Sequence, residues 1–276
     1  MSTQGLVNHF SAPITQAQAD DDRVNRDFVQ SLERGLQVIR CFTADRPDLS
    51  VTEVAERTHI SRAAARRILV TLEQLGYVAR NQAGLFHLQP AILTLGYAYL
   101  SGQQLPQVAR PFLQEVARQL QGSSSLGVLD GADVLFVARA GSPSLLTTSL
   151  SVGSRLPAHV TAMGRVLLAE LPDEQIDRYL TDLKVERRTH LTLTEPARIK
   201  KAILDARREG YSFVDQELAL GIRAVAVPVY DGAGAVVASI NVSVADSRAK
   251  PGEVLRRCLP VLRQAATRIS TGLLPT

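Results

Sequence analysis

Arg62, Arg66 and Arg67 are interleaved with Ala63, Ala64 and Ala65 in a segment that opens on Ser61. Wound as a helix at about 100° per residue, the segment sorts into two arcs. Arg62, Ala63, Arg66, Arg67 and Val70 fall on one, and Ala64, Ala65, Ile68, Leu69, Leu72 and Leu75 on the other. A guanidinium fork matches phosphate oxygens or the O6/N7 edge of guanine, and small side chains let a backbone approach a groove floor. The chemistry on offer is recognition of double-stranded DNA. An arginine run is also a common solvated helix face, so the arc by itself leaves both readings open. Downstream, Arg80 and His87 flank an Asn81–Gly84 turn, where a hairpin would bring them to neighbouring phosphates. From Arg57 to Arg80 there are five arginines and one acid, Glu73, a more basic balance than the net +4 of the whole chain.

A second constellation is Thr161-Ala162-Met163-Gly164. Thr161 is placed to cap a helix whose first N–H groups, at Ala162, Met163 and Gly164, converge on one spot. Such a terminus suits a carboxylate, and small residues admit a ligand to the backbone. An ordinary capped helix packed on a sheet fits the same residues. Groups able to make or break bonds are missing: there is no P-loop, no G-x-S-x-G, no H-E-x-x-H and no cysteine pair at metal spacing. His9, His59, His87, His159 and His190 are scattered and read as surface or core histidines. No metal and no cofactor is expected.

These residues need particular elements to hold them. A helix over 27–42 with Phe28, Leu32, Leu36 and Ile39 as its core stripe is expected first. Ser50 and Glu53 form a capping box for a short helix over 51–57, residues 58–60 make the turn, and Ser61 caps the helix over 62–75. Gly76 ends it, and strands over 77–80 and 85–88 make the wing. Residues 89–103 read as a linker helix with an apolar surface for a partner, and residues 1–25, polar and carrying Asp20, Asp21 and Asp22, as a disordered tail. Beyond it, strands are expected at 126–130, 134–140, 145–152, 211–215, 224–230 and 236–245, with helices at 162–171, 173–183, 195–209 and 252–271. The fold class is α/β in two domains: a winged helix-turn-helix over 26–88, then a mainly antiparallel sheet flanked by helices over 104–276.

Composition bounds the rest. With 45% hydrophobic and 21% charged residues, no Trp and no run long enough to span a membrane, a cytoplasmic protein with an aliphatic core is expected. Cys41 and Cys258 read as buried free thiols.

The strings SLERGLQVIRCF and LSVTEVAERTHISRAAARRILVTLEQLGYV resemble the DNA-binding domain of the IclR family of bacterial transcriptional regulators. RLPAHVTAMGRVLLAEL, GYSFVDQELALGIRAVAVPVYD and VVASINVSV extend the resemblance over about residues 28–272, and the pattern is similar to the branch governing protocatechuate, 4-hydroxybenzoate and β-ketoadipate breakdown. The resemblance implies a GAF-like effector domain, a small organic acid as effector, a homodimer or tetramer on a pseudo-palindromic operator, and RNA polymerase as a further partner. It places Ala162 and Met163 at the ligand by backbone, and Val214, Ala224, Asn241 and Ser243 in the pocket wall. Keto-acid binders of the family carry Asp, Cys and Ser at the first three wall positions, so only Ser243 is kept here. A roomier, less polar pocket for an aromatic or longer dicarboxylic acid follows from that difference. Arg139, Arg155 and Arg223 are candidate counter-charges, with a surface or structural role as the alternative for each. An enzyme acting on a small acid, and a sensor whose winged helix binds protein, are the alternatives.

Overall fold

Ser50 and Glu53 close on each other as the sequence demands. The Glu53 N–H donates to Ser50 Oγ (3.3 Å) and the Ser50 N–H donates to Glu53 Oε2 (2.8 Å), satisfying two donors at the start of a helix. The computed structural model describes residues 28–43, 45–96, 104–141, 150–245 and 249–273, and the chain divides into units of residues 15–102 and 103–276. The tail expected over 1–25 lies outside the described residues.

The first unit contains α1 (Gln30–Arg40), β1 (Asp48–Leu49), α2 (Val51–Thr58), α3 (Arg62–Gln74), β2 (Val78–Arg80) and β3 (Phe86–Leu88). Its three strands pair antiparallel in the order β1-β3-β2. Between α2 and α3 the chain reverses at His59, whose φ of 53° is left-handed, and the Ile60 N–H reaches back to the Ala55 carbonyl (3.2 Å). That closure is the usual way to satisfy carbonyls at a helix end. Val38, Leu49, Val54, Ala65, Leu69, Val78 and Phe86 make the core. Two expectations fail here. Of the α1 stripe, Phe28, Leu32 and Leu36 are exposed; Val38, on a different face, is the residue that α1 buries. Leu75 follows the last α3 residue and is also exposed, because the chain has begun its exit toward Gly76 (φ 78°). Of the linker helix, Pro90–Ile92 is a 3-10 turn, 93–96 are helical, and residues 97–103 lie outside the described set.

The second unit is one six-stranded antiparallel sheet, ordered β6-β5-β4-β9-β8-β7. Its strands are β4 (Ser123–Asp130), β5 (Asp133–Ala140), β6 (Arg155–Pro157), β7 (Ser212–Asp215), β8 (Arg223–Tyr230) and β9 (Val236–Val244). On one face lie α4 (Gln104–Leu120) and α8 (Pro251–Gly272), which bury Leu113, Val116, Cys258 and Leu262 against Leu126, Val225, Val227, Ile240 and Val242. On the other lie α5 (Ala162–Leu168), α6 (Asp173–Thr181) and α7 (Pro196–Glu209), packed on Val134, Phe136, Val214 and Ala226. The β4–β5 register shifts between Leu126 and Gly127, leaving Val137 without an opposite residue. The strand expected over 145–152 is replaced by β6 at Arg155–Pro157; residues 150–152 are not strand, and 142–149 lie outside the described residues. Cys258 is buried as expected, but Cys41 is only half-buried at the end of α1.

Candidate DNA-contacting helix and effector face

On α3 the sorting by arc holds where it bears on recognition. Ala65, Leu69 and Leu72 are buried, whereas Arg62, Ala63, Arg66 and Arg67 are exposed. Ser61 Oγ accepts the Ala64 N–H (3.2 Å), which fixes the first turn and so the direction of Arg62. Among the described residues no carboxylate pairs with Arg62, Arg66 or Arg67. Three cations held on one outward surface are free to meet an anionic partner.

The wing residues are differently committed. Arg80 donates to Glu73 (3.0 Å) and lies over the Phe86 ring at 4.7 Å from its centroid, although its side chain keeps an outer surface. His87 is held by its own neighbours: Nε2 is 2.9 Å from Gln89 Nε2, and Nδ1 faces Asp48 at 3.7 Å. Both side chains brace the β-ribbon against α3 and β1. Sequence spacing could not show this, because Asp48 belongs to a two-residue strand that the periodicity does not reveal.

On the second unit, strand register places the expected wall residues together. Val214 pairs with Ala224, Ala224 with Ser243, and Ser243 with Ser123. The next row toward the sheet centre is Ser212, Ala226, Asn241, Ser125 and Arg139. Directly opposed residues share a face, and Val214, Ala224 and Ala226 fix that face as the one beneath α5. Asn241 Oδ1 accepts the Ser125 N–H (3.1 Å), and its amide nitrogen is 3.4 Å from Ser243 Oγ. Ser123 and Ser125 were not expected in this site. Their alternation through the Ser123-Ser124-Ser125 run was the available signal, since a strand sends every second residue to one side. A cavity of about 520 Å³ opens at the ends of these strands toward α4, lined by Gln114, Ala117, Arg118 and Gln121 as well as by Ser123, Gly141 and Ser243.

Above the sheet, Thr161 Oγ accepts the Gly164 N–H (3.0 Å), so this donor, expected to face a ligand, is already used by the cap. Met163 lies against Gly127, where a Cβ would stand 3.2 Å from its sulfur. Gly164 packs directly on the backbone of Ala158, leaving no room for a side chain. Next to it sits a buried ion pair. Arg165 donates through both terminal nitrogens to Glu217 (2.8 and 2.7 Å) and through Nε to the His159 carbonyl (2.8 Å); Glu217 also accepts the Leu193 N–H (3.1 Å). The sequence marks Arg165 only as the end of the Thr161–Arg165 stretch, with no role assigned, and does not mark Glu217. Burial, with the nearby Arg165 charge, lowers the pKa of His159 to about 4 and keeps the ring neutral. Burial raises that of Tyr179, so its hydroxyl stays protonated 3.3 Å from His159 Nδ1.

Of the three candidate counter-charges, two are engaged. Arg155 bonds Asp130 and Asp133, and Arg223 bonds Asp215 and the Ala249 carbonyl. No group of three or more His, Cys, Asp or Glu side chains able to hold a metal occurs among the described residues. No helix among them is long and apolar enough to cross a membrane.

Comparison with known proteins agrees with this division of labour. Residues 31–82 match the IclR helix-turn-helix domain, and residues 97–271 match the C-terminal domain of bacterial transcriptional regulator IclR. The Pca regulon regulatory protein of Pseudomonas putida is 42% identical over 87% of this chain and 82% of its own length. The p-hydroxybenzoate hydroxylase transcriptional activator of Acinetobacter baylyi is 36% identical over 88% and 91%. Among solved structures, an IclR homologue from Microbacterium hydrocarbonoxydans complexed with 4-hydroxybenzoate superposes with a TM-score of 0.73 at 25% identity, covering 88% of this chain and 98% of that one. A Rhodococcus sp. RHA1 protein described as a transcriptional regulator gives 0.76 at 44% identity, covering 89% and 98%. The first relative covers both matched domains, so one assignment serves the whole chain: it belongs to the IclR family of bacterial transcriptional regulators.

Proposed function

We propose that this regulator reads a pseudo-palindromic operator as a homodimer or homotetramer and that a small organic acid of aromatic catabolism sets its occupancy. The observation that carries the DNA half is the exposed face of α3, where Arg62, Arg66 and Arg67 have no carboxylate partner among the described residues. Twofold symmetry would place two such helices in successive major grooves. Arg80 and His87, braced by Glu73, Asp48 and Gln89, hold the wing in position and contribute less direct contact than α3. The effector half is supported by the shared face of Val214, Ala224, Asn241 and Ser243, with Met163 over it. One solved neighbour is a complex with 4-hydroxybenzoate, which makes that acid the first candidate; the resemblance of this sequence to the aromatic-acid branch adds protocatechuate and β-ketoadipate. A ligand switches DNA binding only if it favours one arrangement of the molecule over another.

Fluorescence anisotropy on the upstream region of the protein's own gene tests this reading. Arg66→Ala should weaken binding about tenfold or more, and wild-type binding should fall steeply with added salt. Unchanged affinity of the variant, or salt-independent binding, would count against α3 as the reading helix. Salt-independent capture of a protein partner would favour a protein-binding winged helix instead. An effector should raise the melting temperature in proportion to its occupancy.

A further inference from the structure

The row of residues beneath α5 ends on Arg139, opposite Ser125 and two strands from Asn241. Its half-buried guanidinium makes no ion pair and no hydrogen bond among the described residues, unlike Arg155 and Arg223. A guanidinium in that state gives up part of its hydration without gaining an ion pair among the described residues. Around it the face is otherwise short hydroxyls, one amide and apolar side chains: Ser123, Ser125, Asn241 and Ser243 beside Val214 and Ala226.

We propose that Arg139 is the counter-ion of the effector's carboxylate, with the Asn241 amide and the Ser243 hydroxyl facing the polar groups at the ligand's other end. This rests on the reading of the C-terminal unit as an organic-acid sensor, and deepens it by naming the charge that selects an acid. A carboxylate would give the guanidinium two parallel hydrogen bonds and neutralise it in a poorly solvated place. Burial already pushes the Arg139 pKa down, as expected for a cation that lacks a compensating anion. No proton moves and no bond forms, so the contact is reversible recognition.

Calorimetry on the full-length chain tests the assignment, using protocatechuate, 4-hydroxybenzoate and β-ketoadipate. Two probes without a carboxylate, 4-hydroxybenzamide and 3,4-dihydroxybenzyl alcohol, are run beside them. For whichever acid binds wild type, Arg139→Met should lose at least tenfold in affinity, Arg139→Lys should recover part of it, and the neutral probes should bind no better to wild type than the acid does to Arg139→Met. Operator binding without effector should be unchanged in both variants, and the ligand-free melting temperature should stay level or rise. A merely structural arginine would lower it. Wild-type affinity in Arg139→Met, or equal binding of acid and neutral probe by wild type, overturns the role of Arg139 while leaving the sensor reading intact. Failure of wild type to bind any of the three acids overturns the organic-acid reading and this inference together. Should Arg139→Met fail to fold, Arg139→Gln provides the same comparison with a polar replacement.

Discussion

At His159 two influences act in one direction: burial and the adjacent Arg165 charge both disfavour the imidazolium. The folded protein therefore keeps this ring neutral down to about pH 4, while in the unfolded chain it protonates near 6.5. Between those values the unfolded state binds a proton that the folded state refuses, so stability is lost as pH falls from 6.5 toward 4. The expected loss is on the order of 2 kcal/mol. Melting curves from pH 7.5 to 4.5 check it, and His159→Gln should show a shallower decline than wild type. Parallel curves would remove His159 as the group responsible. Thr161 shows how a residue can be identified correctly and its partner missed. Its capping role was legible from type and position, but its occupation of the Gly164 N–H depends on a rotamer that no spacing reveals.

Elements differ in how much of themselves the sequence discloses. The α2–turn–α3 unit could be read from Ser50, Glu53 and Ser61, because caps act within four residues and carry their own signature. The strands β7, β8 and β9 were legible for a similar reason, being bounded by Gly210 and the Asp231–Gly234 turn. The helix α4 was missed although Leu105, Ala109, Leu113, Val116 and Leu120 recur at helical spacing; it carries Pro106 and Pro111, a residue type that ordinarily ends or kinks a helix. In α1 the apolar stripe was real, but nothing covers it among the described residues of its own unit, and periodicity cannot say what a stripe faces. The Arg165–Glu217 pair likewise joins segments 52 residues apart, beyond any local signal. It ties α5 to the loop after β7, and removing one member strands the other in a buried place. Glu217→Gln should cost about 3–5 kcal/mol in urea unfolding, whereas Arg165→Met with Glu217→Leu should cost much less. Equal losses would show that the pair matters through shape and not through charge.

For the molecule as a whole, α1 presents an unusual surface. Phe28, Val29, Leu32 and Leu36 are between 43% and 62% exposed on a short helix and the residues leading into it. A contiguous apolar stripe of this kind is a common mark of a protein interface. Under the proposed twofold assembly, the stripe would meet a second copy and set the spacing of two α3 helices. Leu32→Asp with Leu36→Asp should then shift sedimentation toward the monomer and weaken operator binding, while the effector-binding heat stays as in wild type. An unchanged sedimentation profile would place the interface elsewhere. The single unmatched residue of β5 has its own long-range result. Val137 and Ala138 both face the α4–α8 layer, so every later side chain in the strand is turned over relative to the simple alternation that Val134 and Phe136 begin. Straighten the strand with Val137 drawn into the pairing, and the parity reverts: a guanidinium would be driven into aliphatic packing and an alanine would look out beneath α5. The leaving of one amino acid outside the ladder thus decides which layer of the sandwich carries the positive charge.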